Sequence, residues 1–186
     1  MIKQKNYIIE TEIALSDIEN LLYTVRLTQE PDIPFAQANS MARIINLIEL
    51  LNAKPMTKDD ITSEYAFDSR QTNYYTDAGR YLGLIDKERD NERNIIFQLS
   101  RLGRHIMKLA YKERQLAIAT QILQHRAFKD TLRLHLQCGE MPDASAIVQI
   151  MKSAELYHVD ADSTYYRRSS TIIGWVNWIL GLIEEI

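Results

Sequence analysis

The chain has one cysteine, four prolines and six glycines among its 186 residues. The single Cys138 excludes an intramolecular disulfide and a cysteine-built zinc cluster. It reads as a small packing residue. So few prolines and glycines leave long uninterrupted stretches, as a mostly helical protein requires. No stretch approaches the ~20 consecutive apolar residues of a membrane helix. The front lacks the compact apolar segment of a signal peptide. A cytoplasmic chain without a membrane partner is therefore expected. Positive charge in excess is missing too, since the formal net charge is −3. That argues against a strongly basic nucleic-acid coat, although the local field near a contact face matters more than the total.

Catalytic signatures are absent as well. There is no Gly-x-Gly-x-x-Gly, no Gly-Lys-Ser/Thr and no Gly-x-Ser-x-Gly. None of the nine lysines has Asp or Glu two positions earlier. This excludes the nuclease pattern in which such a pair holds magnesium and activates water. Pro31-Asp32 and Pro142-Asp143 then read as helix starts. His105, His125, His135 and His158 show no metal-ligand spacing. Glu155, Asp160 and Asp162 read as a solvated loop. No active site, metal or cofactor is expected.

What is present is segregated charge and helical periodicity. Arg101 to His135 holds eight Lys or Arg and two Asp or Glu, whereas Met1 to Asp68 holds six and eleven. "YIIETEI" suggests a strand or arm up to about Ala14, and Ser16 with Glu19 predicts a helix from Asp17. Prolines at 31 and 34 end it. Met41, Ile44, Ile45, Ile48 and Leu51 share one helical face. Thr57 with Asp60, and Asp68 with Gln71, predict two further helix starts. "DKERDNERNIIFQLS" then reads as two strands around a polar tip at Asp90-Asn91. Ser100 caps a long basic helix with a break near Tyr111 to Gln115. Asp143 caps a later one with Ala146, Ile147, Ile150 and Met151 inward. The fold expected is mostly α: tandem winged helix-turn-helix units with one short β wing. Residues 1–35 form an arm, 36–110 the first unit and 111–186 a second, wing-poor unit. "YIIETEI" is a candidate to supply the missing strands.

One motif is written twice. "RQTNYYTDAGRYLGLI" (Arg70–Ile85) and "RRSSTIIGWVNWILGLI" (Arg167–Ile183) both open on arginine and close on Leu-Gly-Leu-Ile, 98 positions apart. On a helical wheel Ser69, Thr72, Asn73, Thr76 and Arg80 lie opposite the Ala78/Leu82 stripe. Arg167, Ser170, Thr171, Gly174 and Trp178 match them. Short polar side chains there suit a helix that enters the major groove. Arg70 and Arg168 stand on the flank, within reach of a phosphate or a guanine edge. Lys87, Arg89 and Arg93 on the wing are placed to clamp the neighbouring backbone, against repulsion from Asp77, Glu88, Asp90 and Glu92. Trp175 and Trp178 lie outside the stripe. They are expected to pack on the other unit or the front helix, with a homodimer contact as the second option and base stacking as the third.

"FQLSRLGRHI" resembles the Tyr/Phe-x-Leu-Thr/Ser-x-x-Gly-Arg signature at the exit of the wing in many winged-helix proteins, through Phe97, Leu99, Ser100, Gly103 and Arg104. With the two motifs, residues 40 to 183 resemble the tandem winged-helix modules of bacterial restriction enzymes and related defence proteins. The matching positions are Arg70, Gln71, Tyr74, Tyr75, Arg167, Arg168, Ser170 and Thr171. The resemblance implies recognition or positioning of double-stranded DNA beside a separate nuclease domain or subunit. The DNA-contacting set is then Ser69, Arg70, Gln71, Thr72, Asn73, Thr76, Arg80, Lys87, Arg89, Arg93, Arg167, Arg168, Ser170 and Thr171. The alternatives are a protein-interaction or dimerisation module, with Trp175 and Trp178 as interface, and a stand-alone transcription regulator.

Overall fold

The computed structural model describes residues 12–65 and 68–183. The first helix, α1 (Leu15–Thr24), starts two residues before the expected Asp17. Ala14 is its N-cap, and the Asp17 carboxylate accepts the Ala14 N–H at 2.9 Å. Ser16 therefore lies inside the helix. Asp17 also pairs with Lys112 at 3.1 Å, which pins α1 to the later helices. After α1 the chain stays extended or bent to residue 39, as the two prolines require.

A helix and sheet unit follows. Helix α2 (Met41–Ala53) is capped by Ser40 and buries Met41, Ile44, Leu47, Ile48 and Leu51. Ile45, expected on that face, is only half-buried because Leu47 takes the inner position. Strand β1 (Met56–Thr57) was not expected: two residues are too few to show alternation. Thr57 and Asp60 exchange three hydrogen bonds at the start of α3 (Lys58–Tyr65). Asp68 accepts the Arg70 and Gln71 N–H groups and Gln71 returns the bond, the reciprocal cap expected for α4 (Ser69–Tyr81). Strands β2 (Ile85–Arg89) and β3 (Ile95–Leu99) pair antiparallel around the Asp90-Asn91 tip. β1 adds to the other edge, giving the order β1-β3-β2.

The basic stretch read as a long helix with a break near Tyr111 to Gln115 is three helices, broken at 107–110 and 124–125. Ser100 caps a short α5 (Arg101–Ile106), and α6 (Tyr111–Leu123) and α7 (Arg126–Cys138) follow after breaks. Gly139, at φ +77°, ends α7 in the left-handed conformation that glycine adopts without strain. Asp143 caps α8 (Ala144–Ser153) as expected, and α9 (Asp162–Leu180) closes the chain. Helix α8 packs on α7 and α9. Among the described residues this half forms no sheet; Ile13 and Ile183 make a single parallel bridge. The rest of the arm expected as a strand, residues 7–11, lies outside the described residues. The architecture is thus mostly helical with a small three-stranded antiparallel sheet. No described helix is long and apolar enough to cross a membrane.

Residues 25–39 form a strap whose carbonyls cannot pair within a helix or a strand. Buried side chains of the second half satisfy three of them instead. Lys129 donates from Nζ to the Val25 carbonyl. Thr171 Oγ1 donates to Ala36 O at 3.1 Å, and Trp175 Nε1 to Ala38 O at 2.7 Å. The strap also carries Phe35, Ala36 and Ala38 into one continuous apolar core that runs from Ile13 to Ile179.

Candidate nucleic-acid interface

Helix α4 presents less than its wheel suggested. Ser69, Arg70 and Asn73 are exposed, and Gln71 and Arg80 are half-exposed. Thr72 and Thr76 are sealed, at 0 % and 1 % exposure, so neither belongs to a contact surface. Helix α3 packs on α4 at Thr72, whose Oγ1 shares a 2.8 Å hydrogen bond with Thr62 Oγ1. Thr76 Oγ1 turns back on the Thr72 carbonyl at 2.8 Å. Small polar residues admit a neighbouring helix as readily as a groove of DNA. Arg80 is tied to Asp77 at 2.8 Å, which neutralises both.

Helix α9 departs further. Arg167 and Ser170 are exposed, but Arg168 and Thr171 are buried and leave the predicted contact set. Thr171 faces the strap, as its bond to Ala36 shows. Trp175 is fully buried, stacked on Phe128 at 4.8 Å between ring centroids. The expected internal packing therefore holds for it, and it is withdrawn from any intermolecular interface; Trp178 stays half-buried. Gly174 lies so close to the strap that a Cβ there would sit 2.1 Å from the Asn39 carbonyl oxygen.

The two motif copies are consequently not buried alike. From Arg168 onward the buried positions of α9 are Arg168, Ser169, Thr171, Ile172, Trp175, Val176 and Ile179. Moved back 98 positions they become Arg70, Gln71, Asn73, Tyr74, Asp77, Ala78 and Tyr81. Only Ala78 and Tyr81 of these are buried in α4. The copies agree near their Leu-Gly-Leu-Ile ends and diverge towards their N-terminal halves, where α9 meets the strap and α4 meets α3.

The wing sorts its charges by face. Ile85, Lys87 and Arg89 alternate with Asp86 and Glu88, so the cations share the face of buried Ile85 and the acids take the other. Lys87 is paired with Phe97 in register and lies 6.0 Å from its ring centroid. Glu88, the acid on this strand expected to repel a phosphate, thus points away from the face that Lys87 and Arg89 extend. Arg93, exposed at φ +67°, closes the tip, and its carbonyl accepts from Arg89 Nη1 at 3.4 Å. Asp90 is occupied within the tip by the N–H groups of Glu92 and Asn94.

Two groupings were not legible in the sequence. The first is internal. Glu30 on the strap accepts the Tyr81 hydroxyl at 2.5 Å and meets His125 Nδ1 at 3.2 Å. Tyr81 stacks on His125 at 4.1 Å and lies 6.3 Å from the Trp175 ring. Burial, then the Glu30 charge and hydrogen bond, push the Tyr81 phenol well above 10. The folded state holds that proton more tightly, so the resulting stability is complete below the unfolded value near 10. It is lost as pH rises from there towards the folded value. Urea midpoints should be flat with respect to Tyr81 from pH 8 to about 10 and then fall more steeply for the native chain than for Tyr81→Phe. Equal slopes would remove Tyr81 as the source.

The second grouping lies on α4. Arg70 Nε donates to the Tyr74 hydroxyl at 2.5 Å, and its guanidinium lies 5.4 Å from that ring centroid. Pro34 to Gln37 of the strap line a shallow cavity of about 270 Å³ with Asn73, Tyr74 and Asp77. Arg168 Nε and Nη1 are buried without a hydrogen-bond partner. Each orphaned donor costs about 1–3 kcal/mol, more when charged. Burial, then the charge of Arg167, draw the Arg168 guanidinium below its usual value, while Tyr74 opposes them. Among the described residues no three His, Cys, Asp or Glu side chains are grouped to hold a metal ion.

Residues 43–184 match the model of a family described as a domain of unknown function (DUF7226), and the chain belongs to that family. No curated protein and no solved structure matches the chain.

Proposed function

We propose that this member of the DUF7226 family is a non-catalytic, double-stranded DNA-binding module built from tandem winged-helix units. The order α2, β1, α3, α4, β2, β3 is that of a winged helix, with α4 as the helix offered to the groove and β2–β3 as the wing. The second unit is α8 and α9, without a sheet of its own. The observation that carries the reading is the joint exposure of Arg70 and Asn73 on a capped α4 beside a wing whose Lys87 and Arg89 share one face. The contact set is Ser69, Arg70, Gln71, Asn73, Lys87, Arg89, Arg93, Arg167 and Ser170. In this reading the module positions target DNA for a nuclease domain or subunit of a restriction or defence system. The interaction-module alternative loses Trp175 to the core and is the weaker of the two.

Fluorescence anisotropy with a random-sequence duplex at low and moderate salt tests it. Affinity should fall steeply with salt, and Arg70→Ala should weaken binding about tenfold while shallowing the salt slope by about one phosphate contact. Binding that ignores salt, or ignores this substitution, removes the proposal.

A further inference from the structure

We propose that the cleft between α1 and α7 is a binding site for a small organic monocarboxylate with an apolar body. The site stands apart from the duplex reading and uses none of its contact residues. The cleft has a volume of about 530 Å³, within the range of about 300–1,000 Å³ usual for ligand pockets. One stripe of each helix lines it: Glu19, Leu22 and Tyr23 from α1, and Lys129, Arg133 and Leu136 from α7. Their three- and four-residue spacing puts each set on one helical face. Two bonds hold the walls. Asp17–Lys112 fixes the first turn of α1, and Lys129 Nζ holds the Val25 carbonyl just past its other end.

Lys129 carries the inference. It is 7 % exposed and forms part of the cleft wall. Its ammonium has three donors, and among the described residues the Val25 carbonyl is the one acceptor it meets. No described carboxylate forms an ion pair with it. A cation so far from water is stable beside a counter-ion and costly without one. The Val25 carbonyl, at the negative end of the α1 dipole, supplies a partial charge and not a full one.

The rest of the lining selects the class of anion. Arg133 is exposed, and Asp130 occupies its Nη1 at 2.8 Å while leaving further N–H groups to offer. Glu19, exposed on the opposite wall, brings these side chains to two cations against one acid. That balance favours a singly charged carboxylate over a phosphate, which Glu19 repels more strongly. Leu22 and Leu136 are half-buried and give apolar walls, and Tyr23 stands 90 % exposed at the lip. An aromatic or branched aliphatic body between them covers a ring otherwise left in water.

Phenylacetate, 3-phenylpropionate and 4-methylpentanoate are the probes, titrated into the full chain by calorimetry and thermal melting at constant ionic strength. At least one should bind saturably and raise the melting temperature. Acetate, which lacks the body, and the carboxamide of the best binder, which lacks the charge, should each bind at least about tenfold more weakly. Phenyl phosphate should also bind more weakly than the best of the three. Tyr23→Ala and Arg133→Gln, at exposed positions, should weaken carboxylate binding about fivefold or more and leave the melting temperature without ligand unchanged. Lys129→Met should abolish binding; where it fails to fold, the two exposed variants decide. Tyr111→Ala, exposed on α6 and outside the cleft lining, should bind as the native chain does. No saturable binding by any of the three probes overturns the proposal and leaves Lys129 as a lysine that only holds α1. Equal binding of acetate or the carboxamide, or binding that survives Tyr23→Ala and Arg133→Gln unaltered, overturns it as well. Tighter binding of phenyl phosphate overturns the assignment to a carboxylate.

Discussion

Trp175→Ala is expected to lower the unfolding free energy by about 3–5 kcal/mol, the range for truncating a fully buried aromatic. Trp175 has no exposed surface and stacks on Phe128 with 14° between the ring planes. It also touches Tyr81, the end of the first motif helix, and donates from Nε1 to the Ala38 carbonyl. One truncation therefore opens a cavity between the two halves and orphans a strap carbonyl. Against a total stability of about 5–15 kcal/mol, such a loss is a large fraction. Urea unfolding followed by circular dichroism measures it through the midpoint. Trp178→Ala, three residues on and half-buried, is expected to cost about 1 kcal/mol. Similar midpoints for the two variants would show that Trp175 does not hold the halves together.

Gly174→Ala should also destabilise, against the sign that helix propensity assigns. Replacing a helix-interior glycine with alanine ordinarily gains about 1 kcal/mol. Here the new methyl would stand 2.1 Å from the Asn39 carbonyl oxygen, a backbone atom that cannot swing aside. Relief requires the strap to shift, and the Thr171–Ala36 and Trp175–Ala38 bonds shift with it. A loss of about 3 kcal/mol or more is expected, the upper part of the overpacking range. Proteolysis within residues 25–39 should accelerate in the same variant. Ser170→Ala, exposed on the same helix, serves as the control and should stay within about 0.5 kcal/mol. A Gly174→Ala chain as stable as native would mean that α9 and the strap are not in contact.

Caps and the two wing strands were the most legible features, because each is a local contract between residues a few positions apart. Asp68 with Gln71, Thr57 with Asp60, Ser100 and Asp143 all cap where the spacing placed them. The wing and its polar tip were equally readable from alternation. The start of α1 shifted because Asp17 caps from inside the helix, an option that spacing alone does not rank against Ser16. The basic stretch divided after Ile106 and Leu123 without a proline or glycine at either break. Only packing of α6 against α1 and α7 selects those points.

The binding face was half legible. A wheel separates polar from apolar positions, yet it does not say whether a polar position faces water or another helix. Thr72, Thr76 and Thr171 each bury a hydroxyl by bonding to nearby or strap backbone, or to the half-buried Thr62 hydroxyl. Their short side chains let α3 or the strap approach. Glu30 and His125 stand 95 positions apart, so no periodicity joins them.

Spacing and composition alone determined a mostly helical chain, its caps, its wing and a motif written twice. Those features follow from bonds and side-chain alternation within a few residues. Tertiary structure decided which side of each copy stays outside. One copy meets a helix and the other an extended segment, and each neighbour hides a different stripe. It also decided that one repeated arginine lies in water and its twin beneath the surface, because burial depends on what packs against a residue and not on the motif around it.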